Sequence, residues 1–400
     1  MTGARSWHST DMTPELRLNQ HNSILELDAL SWNQLAGDSP FLRHEFLAAL
    51  ERTGCVDGET AWQSRHLTVT DHANKLLGAL PLYIKYNSLG EYVFDWSWAD
   101  SYDTAGLPYY PKLVSAVPFT PTTGRRFLVA PELDFSSVVP VLLSGVHELA
   151  DKLNASSLHV LFPTEYERSY LDSKGMMARK GCQFHWHNHG YSHFDDFLSC
   201  FTSAKRKKVR RERKRVAEAG IQFERMHGNQ LSADDWEAVF SFYARTFYRR
   251  GRAPYLNRAF FTEIAQTMPE NLLIILARYG GHPIAAAICF CNQHTLYGRY
   301  WGCLDDFHSL HFECCYYQGI SYCIEEKIQT FEPGTQGEHK ISRGFIPTAT
   351  WSNHWLANQE FSDAVANFLR RERLHIDAYI AETASHTPYR SDLPLSLPPR

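Results

Sequence analysis

The stretch NLLIILARYGGHPIAAAICFCNQHTLYGRYWGC, residues 271–303, decides the fold class. Its three apolar runs, 271–279, 282–291 and 295–303, are separated by Gly280-Gly281 and by Asn292-Gln293. Such short links between apolar runs are hairpin chemistry, because the turn needs backbone angles that glycine and asparagine accept. The spacing predicts an antiparallel meander of three strands. Helices are expected before it at 195–219, 233–249 and 258–266, and after it at 312–330 and 361–382. The first half follows the same order. Amphipathic segments at 31–35 and 43–52 precede strand-like runs at 66–70, 76–85, 90–96 and 112–118, a helix at 138–153 and a buried strand at 158–162. Trp98 precedes Tyr109-Tyr110 much as Trp301 precedes Tyr316-Tyr317, a local echo in keeping with a duplicated unit. The expected class is α/β of the α+β kind, with mixed, mostly antiparallel sheets flanked by helices.

Four hundred residues exceed one ordinary core, so two domains of about 200 residues each are the default. The expected division is a flexible segment over 1–25, a first domain over 26–190, a second over 191–385 and a flexible Pro/Ser-rich tail over 386–400. A hydrophobic fraction of 44% and an aromatic fraction of 14% describe a well-packed protein with aromatic side chains to spare for a groove. The net charge of −4 excludes a chain that binds polyanions over its whole surface. No apolar run reaches the roughly 18 residues of a membrane span, and residues 1–18 lack a signal-peptide core. Nine cysteines, an odd number without a Cys-x-x-Cys pair, argue against a disulfide framework. They read as small buried hydrophobes rather than zinc ligands, so no metal is expected. The expectation is a soluble, cytoplasmic protein.

Two polar features stand out from this background. The first is Gly337-Glu338-His339-Lys340-Ile341-Ser342-Arg343-Gly344, a dense charged run between two glycines. As a strand it would place Glu338, Lys340 and Ser342 on one face and His339, Ile341 and Arg343 on the other. A solvated loop is the alternative. The second is 205–215, with nine basic residues and one acidic one. Phe201, Val209 and Val216 lie within about 80° of one another at helical pitch, a narrow stripe that would dock the helix, and Gly220 suits its C-terminal cap. The remaining circumference is cationic and calls for anionic company, of which phosphate is the natural kind. The basic helix is expected over 203–219.

These segments, read together, resemble the FemAB-like family. The matching residues include Pro40 to Phe46, Leu80 to Lys85, Gly90 to Asp95, Tyr109 to Leu113 and Pro118 to Pro121. In the second half they are Gly298 to Gly302, His311 to Glu313, Tyr316 to Ile320 and Gly337 to Pro347. The resemblance covers roughly residues 30 to 385. It implies two tandem GNAT-like domains related to the Fem peptidyltransferases, which move an amino acid from aminoacyl-tRNA to an amine, and a link to peptidoglycan biosynthesis. It also implies that 205–215 is the basic helix those relatives carry.

An acetyl-CoA-type pyrophosphate loop is not found before residue 312, and Thr122 to Arg126 is only a partial stand-in. An aminoacyl-tRNA donor is therefore expected in preference to acyl-CoA, with no bound cofactor. Lys205, Arg206, Lys208, Arg211 and Arg215 would meet RNA phosphates. Lys340 and Arg343 would anchor an anionic group or stabilise an oxyanion, and Glu338 or His339 would take the proton from the attacking amine. Arg299, Tyr300, Trp301, Glu313, Tyr316 and Tyr317 would line the groove. Asp95, Tyr102, Tyr110 and Lys112 would face the acceptor, an amine-bearing small molecule or peptide. The competing class is a non-catalytic RNA-binding module on the same scaffold.

Overall fold

The computed structural model describes residues 16–305, 307–335 and 337–392. The first half runs β1 (Arg17–His21), α1 (Ala29–Ala36), α2 (His44–Arg52), β2 (Trp62–Ser64), β3 (His66–Thr70), β4 (Leu76–Leu80) and β5 (Tyr83–Lys85). It continues through α3 (Trp96–Thr104), β6 (Lys112–Ser115), β7 (Leu128–Val129), α4 (Phe135–Leu153), β8 (Ser157–Leu161), α5 (Glu165–Ser173) and β9 (Met177–His187). Then come α6 (Phe194–Ser199), α7 (Ser203–Glu218), β10 (Ile221–His227), α8 (Ala233–Tyr248) and α9 (Arg258–Thr267). The meander is β11 (Leu272–Tyr279), β12 (His282–Cys291) and β13 (Thr295–Cys303). After it, α10 (Leu310–Phe312) passes through a π turn (Glu313–Tyr317) into α11 (Gln318–Glu325). The chain finishes with β14 (Thr330–Glu332), β15 (Ile346–Leu356) and α12 (Gln359–Ser385).

The strands form two sheets. One has four strands in the order β1-β3-β4-β7, and the other has eleven in the order β10-β11-β12-β13-β14-β9-β15-β8-β6-β5-β2. The pairs β13–β14 and β6–β8 are parallel and the remaining pairs antiparallel. The meander is as the sequence predicts, with β11 and β12 paired from Leu272↔Phe290 to Tyr279↔His282. The halves share a core. Phe41 before α2 packs its ring 5.2 Å from Phe290 on β12 and 5.0 Å from Tyr297 on β13.

Several local expectations are corrected, each for a physical reason. The run 76–85 is two strands, because Pro81 cannot donate to a ladder, and the pieces join different sheets. Residues 90–95 are a turn and not a strand. Gly90 and Tyr92 take φ of 80° and 62°, which no extended ladder accepts. The helix expected over 195–219 breaks between Ser199 and Ser203, where the chain end docks. There Thr202 donates its N–H to Pro388 O and Arg390 its N–H to Cys200 O. Part of the expected tail is therefore held in place, and β1 lies within the expected N-terminal segment. Residues 1–15 and 393–400 lie outside the described residues. Among the described residues, no helix is long and apolar enough to cross a membrane.

Candidate functional site

The charged run is not a strand. Residues Glu338–Arg343 form a 3-10 helix between Gly337 and Gly344, whose φ angles are 106° and 95°. A 3-10 helix has three residues per turn, so Lys340 and Arg343 fall on one side instead of alternating, and both are buried. Gly344 also answers a packing need, since a Cβ there would stand 2.7 Å from the Phe197 ring. Glu338 turns outward and accepts a 2.9 Å hydrogen bond from the Tyr379 hydroxyl on α12. The His339 ring lies 2.8 Å, Nε2 to hydroxyl, from Tyr316.

Lys340 is 1% exposed, and its Nζ donates to Gly334 O at 2.6 Å. No carboxylate among the described residues pairs with it. Burial pulls its pKa down to about 7 against a weaker opposing effect from Cys315, and the Arg299 charge adds a smaller push downward. Arg343 has a counter-charge by contrast, although its Nε finds no partner among the described residues. It donates to Glu212 Oε1 at 2.8 Å and to His339 O at 2.6 Å, and its guanidinium lies 3.3 Å over the Phe312 ring. Glu212 is the lone acidic residue of the basic run and also accepts from the Tyr317 hydroxyl.

The basic helix is α7, and its buried residues are Val209, Glu212 and Val216. Phe201 is buried just ahead of it. Three of its cations have carboxylate partners: Arg210 with Asp195, Arg213 with Glu313 and Lys214 with Glu218. Lys205, Arg206, Lys208, Arg211 and Arg215 pair with no carboxylate among the described residues. Arg215 instead meets His308 Nε2 at 3.2 Å. Lys208, Arg211 and Arg215 wall a cavity of about 410 Å³ together with Glu212, His308, Phe312, His339, Ser342 and Arg343. The two polar features that the sequence separates by some 130 residues thus open onto one space.

The π turn supplies the neighbouring groups. Glu313 is buried and accepts from Arg213 and Gln318 at 3.0 and 2.8 Å. Tyr316 and Tyr317 point to His339 and Glu212. Trp301 packs 5.4 Å from His311, whose pKa is lowered to about 4 by burial and then by His339. Arg299 and Tyr300 go elsewhere. Both reach the first half and donate to Phe119 O, at 2.7 and 3.4 Å.

The four first-half residues do not act alike. Lys112, fully buried, donates to Ser88 Oγ, Glu91 Oε2 and Asp95 Oδ2 at 2.8, 2.9 and 2.5 Å. Tyr110 hydrogen-bonds Ser88 at 2.9 Å. Tyr102 packs 4.0 Å from the Phe361 ring, and its hydroxyl has no hydrogen-bond partner among the described residues. Burial raises Glu91 to about 7 against the pull of Lys112, whereas Lys112 overcomes burial at Asp95 and holds it below its ordinary value. Sequence reasoning missed Lys85, Glu91, Tyr109, His159 and His354 in this network. The readable signal was Glu91 and Asp95 at a spacing of four, beside a lysine-bearing strand. It also missed a cleft of about 510 Å³ whose walls include Ser88, Phe94, Arg179, Gln183, Arg250, Arg252 and Ser352.

The partial pyrophosphate loop is a structural element. Arg125 donates to Leu35 O and Ala36 O, and buried Arg126 donates to Thr122 O, Gly124 O, Arg125 O and Leu161 O.

Residues 23–391 match the FemAB-like family, described as peptidoglycan biosynthesis/recognition. FemX superposes with a TM-score of 0.52 at 13% identity, over 87% of this chain and 100% of that one. A C-terminal domain ascribed to a lysylphosphatidylglycerol synthetase of Agrobacterium fabrum gives 0.51 at 12% identity, covering 86% and 96% of the two chains. L-PGS from Bacillus licheniformis gives 0.50 at 10% identity, covering 84% and 97%. These likenesses are of fold. No curated protein sequence matches the chain.

Proposed function

The chain belongs to the FemAB-like family, and on that premise we propose that it is an aminoacyltransferase that moves an amino acid from aminoacyl-tRNA onto an amine acceptor. The observation that carries this reading is the shared cavity, where cations of α7 without carboxylate partners meet His339, Ser342 and Arg343. Phosphates of the donor would lie along Lys208, Arg211 and Arg215, with Lys205 and Arg206 extending the track. That leaves the aminoacyl ester near the 3-10 turn. Arg343, fixed by Glu212, presents a rigid cation toward the developing oxyanion. Lys340, its pKa drawn down to about 7, lies buried behind the cavity wall and is suited to exchange a proton with an attacking amine that displaces its bond to Gly334 O. His339 is the base on the cavity wall, and Glu338, turned toward α12, is not in position for that role.

A CoA donor fits less well, since residues 304–311, which lead from β13 into the next helix, contain no glycine that would let the backbone close around a pyrophosphate. Peptidoglycan-precursor amines are the first acceptors to screen, given the family description.

The triple reversal K208E/R211E/R215E is expected to weaken binding of charged tRNA and to flatten its log–log salt dependence by about 2–3 in slope. Filter binding between 50 and 200 mM salt reads this. An unchanged slope removes tRNA as donor. Lys340→Met is expected to abolish transfer yet raise stability, because it removes a buried ammonium that lacks a counter-charge. For a lysine lowered to about 7 in the fold, the unfolded chain binds more protons between about pH 7 and 10.5. Buried Lys85 is lowered to about 7 as well and contributes its own climb in both proteins, so wild-type stability should rise across that window by on the order of 1–3 kcal/mol more than that of the Met variant. Denaturant unfolding at pH 7 and 9.5 is the check. A variant that keeps full transfer activity would remove Lys340 from the chemistry.

A further inference from the structure

Beneath the 510 Å³ cleft lies a chain of hydrogen bonds whose direction can be worked out donor by donor. Tyr109 donates its hydroxyl proton to Asp95 Oδ2 at 2.6 Å, so toward His159 Nε2, at 3.3 Å, its oxygen can only accept. Ser156 donates to Tyr109 O, which makes Ser157 the donor in their mutual 3.1 Å contact. Ser157 can then only accept from His159 Nε2, at 2.8 Å. Both neighbours therefore require the proton of His159 on Nε2.

Burial and then the charge of Lys112 lower His159 to about 3, and burial and then His159 hold His354 well below its usual value. Each ring is neutral and has one N–H and one bare nitrogen. His159 Nδ1 is thus bare and accepts from His354 Nδ1–H at 2.6 Å. His354 Nε2 is bare in turn and takes the hydroxyl proton of Ser352 at 2.8 Å. From Ser352 through His354, His159 and Tyr109 every proton points toward Asp95, which Lys112 keeps ionised, while those of Ser157 and Ser156 end on Tyr109 O. Trp98 fixes the ring of His354 edge-on at 5.0 Å.

Ser352 lines the cleft at the outer end of this chain. Its proton is committed inward, so what it offers the cleft is lone pairs. A lone serine hydroxyl could turn either way, whereas this one cannot. We propose that Ser352 is a dedicated hydrogen-bond acceptor for a nitrogen donor of a ligand in this cleft. In the transfer proposed above, that donor is a part of the amine-bearing acceptor lying apart from the attacking amine in the 410 Å³ cavity. The residues behind it, His354, His159 and Tyr109, are positioning residues. They set which way the hydroxyl faces and do not touch the ligand.

Two measurements test this without a known substrate. The first is imidazole ¹⁵N NMR of the histidines, assigned with His354→Asn, with His159 expected as the Nε2–H tautomer and His354 as Nδ1–H. The opposite pair reverses the chain and overturns the proposal. The second compares binding of benzamide, which has N–H donors, with N,N-dimethylbenzamide, which has none. Wild type is expected to favour benzamide by about five- to tenfold, and Ser352→Ala to lose that preference while binding the dimethyl compound as before. Equal binding by wild type, no benzamide binding, or a preference that survives in Ser352→Ala overturns it. Neither readout needs turnover. Correct tautomers and benzamide selectivity without any aminoacyl transfer would sink the transferase reading alone, whereas reversed tautomers in an active transferase would sink only the role of Ser352.

Discussion

Replacing Glu212 by alanine is expected to cost about 3–5 kcal/mol of stability, although the residue sits in a helix dominated by positive charge. A surface view would predict a far smaller loss, since an exposed acid among nine bases contributes at most about 1 kcal/mol. Burial decides otherwise. The Arg343 and Glu212 side chains are 3% and 9% exposed, and Glu212 holds both the guanidinium and the Tyr317 hydroxyl. Truncation leaves a desolvated cation with no counter-charge, which is the expensive way to break a buried pair. Glu212→Gln should fall between, keeping an acceptor for Tyr317 without the charge. RNA affinity should not fall in either variant, because the basic face loses its acidic neighbour. Denaturant unfolding reads the first effect and salt-dependent tRNA binding the second. A stability loss below 1 kcal/mol would mean that Arg343 finds another partner.

The second large effect is at Lys112. Lys112→Met should destabilise by about 3–5 kcal/mol at pH 8 and distinctly less at pH 5. The lysine stands between Glu91 and Asp95, with Lys85 4.0 Å from the far oxygen of Glu91. Asp95 is held below its ordinary value, so its contribution is present above the unfolded pKa and fades as pH falls. Glu91 is raised to about 7, so its contribution is present at low pH and fades as pH rises through 7. Without Lys112, Glu91 at pH 8 either stays ionised beside Asp95 or takes up a proton from an alkaline solution, and both cost free energy. At pH 5 Glu91 carries a proton and the repulsion is gone. Equal deficits at the two pH values would show that Lys112 acts by packing and not by charge.

How far the sequence foretold these sites depended on whether the governing contacts were local. The meander was legible because Gly280-Gly281 and Asn292-Gln293 set its turns within the segment itself. The basic helix was legible in composition, yet the partner of its one acid, Arg343, lies 131 residues away. The face pattern of 338–343 was misread for a narrower reason. Alternation holds only for an extended backbone, and flanking glycines serve a 3-10 turn equally well. Asp95 and Lys112 could be singled out, but not His159 with His354. These two are cross-strand partners on β8 and β15, 195 residues apart, and nothing in either segment announces the other.

β15 has a temporal consequence as well. It pairs on one side with β8 and on the other with β9, and it is the strand that makes one eleven-stranded sheet out of two pieces. A chain still on the ribosome, not yet extended past Ile346, has the edges of β8 and β9 made but unpaired. Open edges of that kind invite foreign strands, and contacts of such long sequence separation form late. Synthesis from His187 to Leu356 therefore passes with an unsealed seam, and nascent chains stalled short of β15 are where chaperone dependence should be greatest.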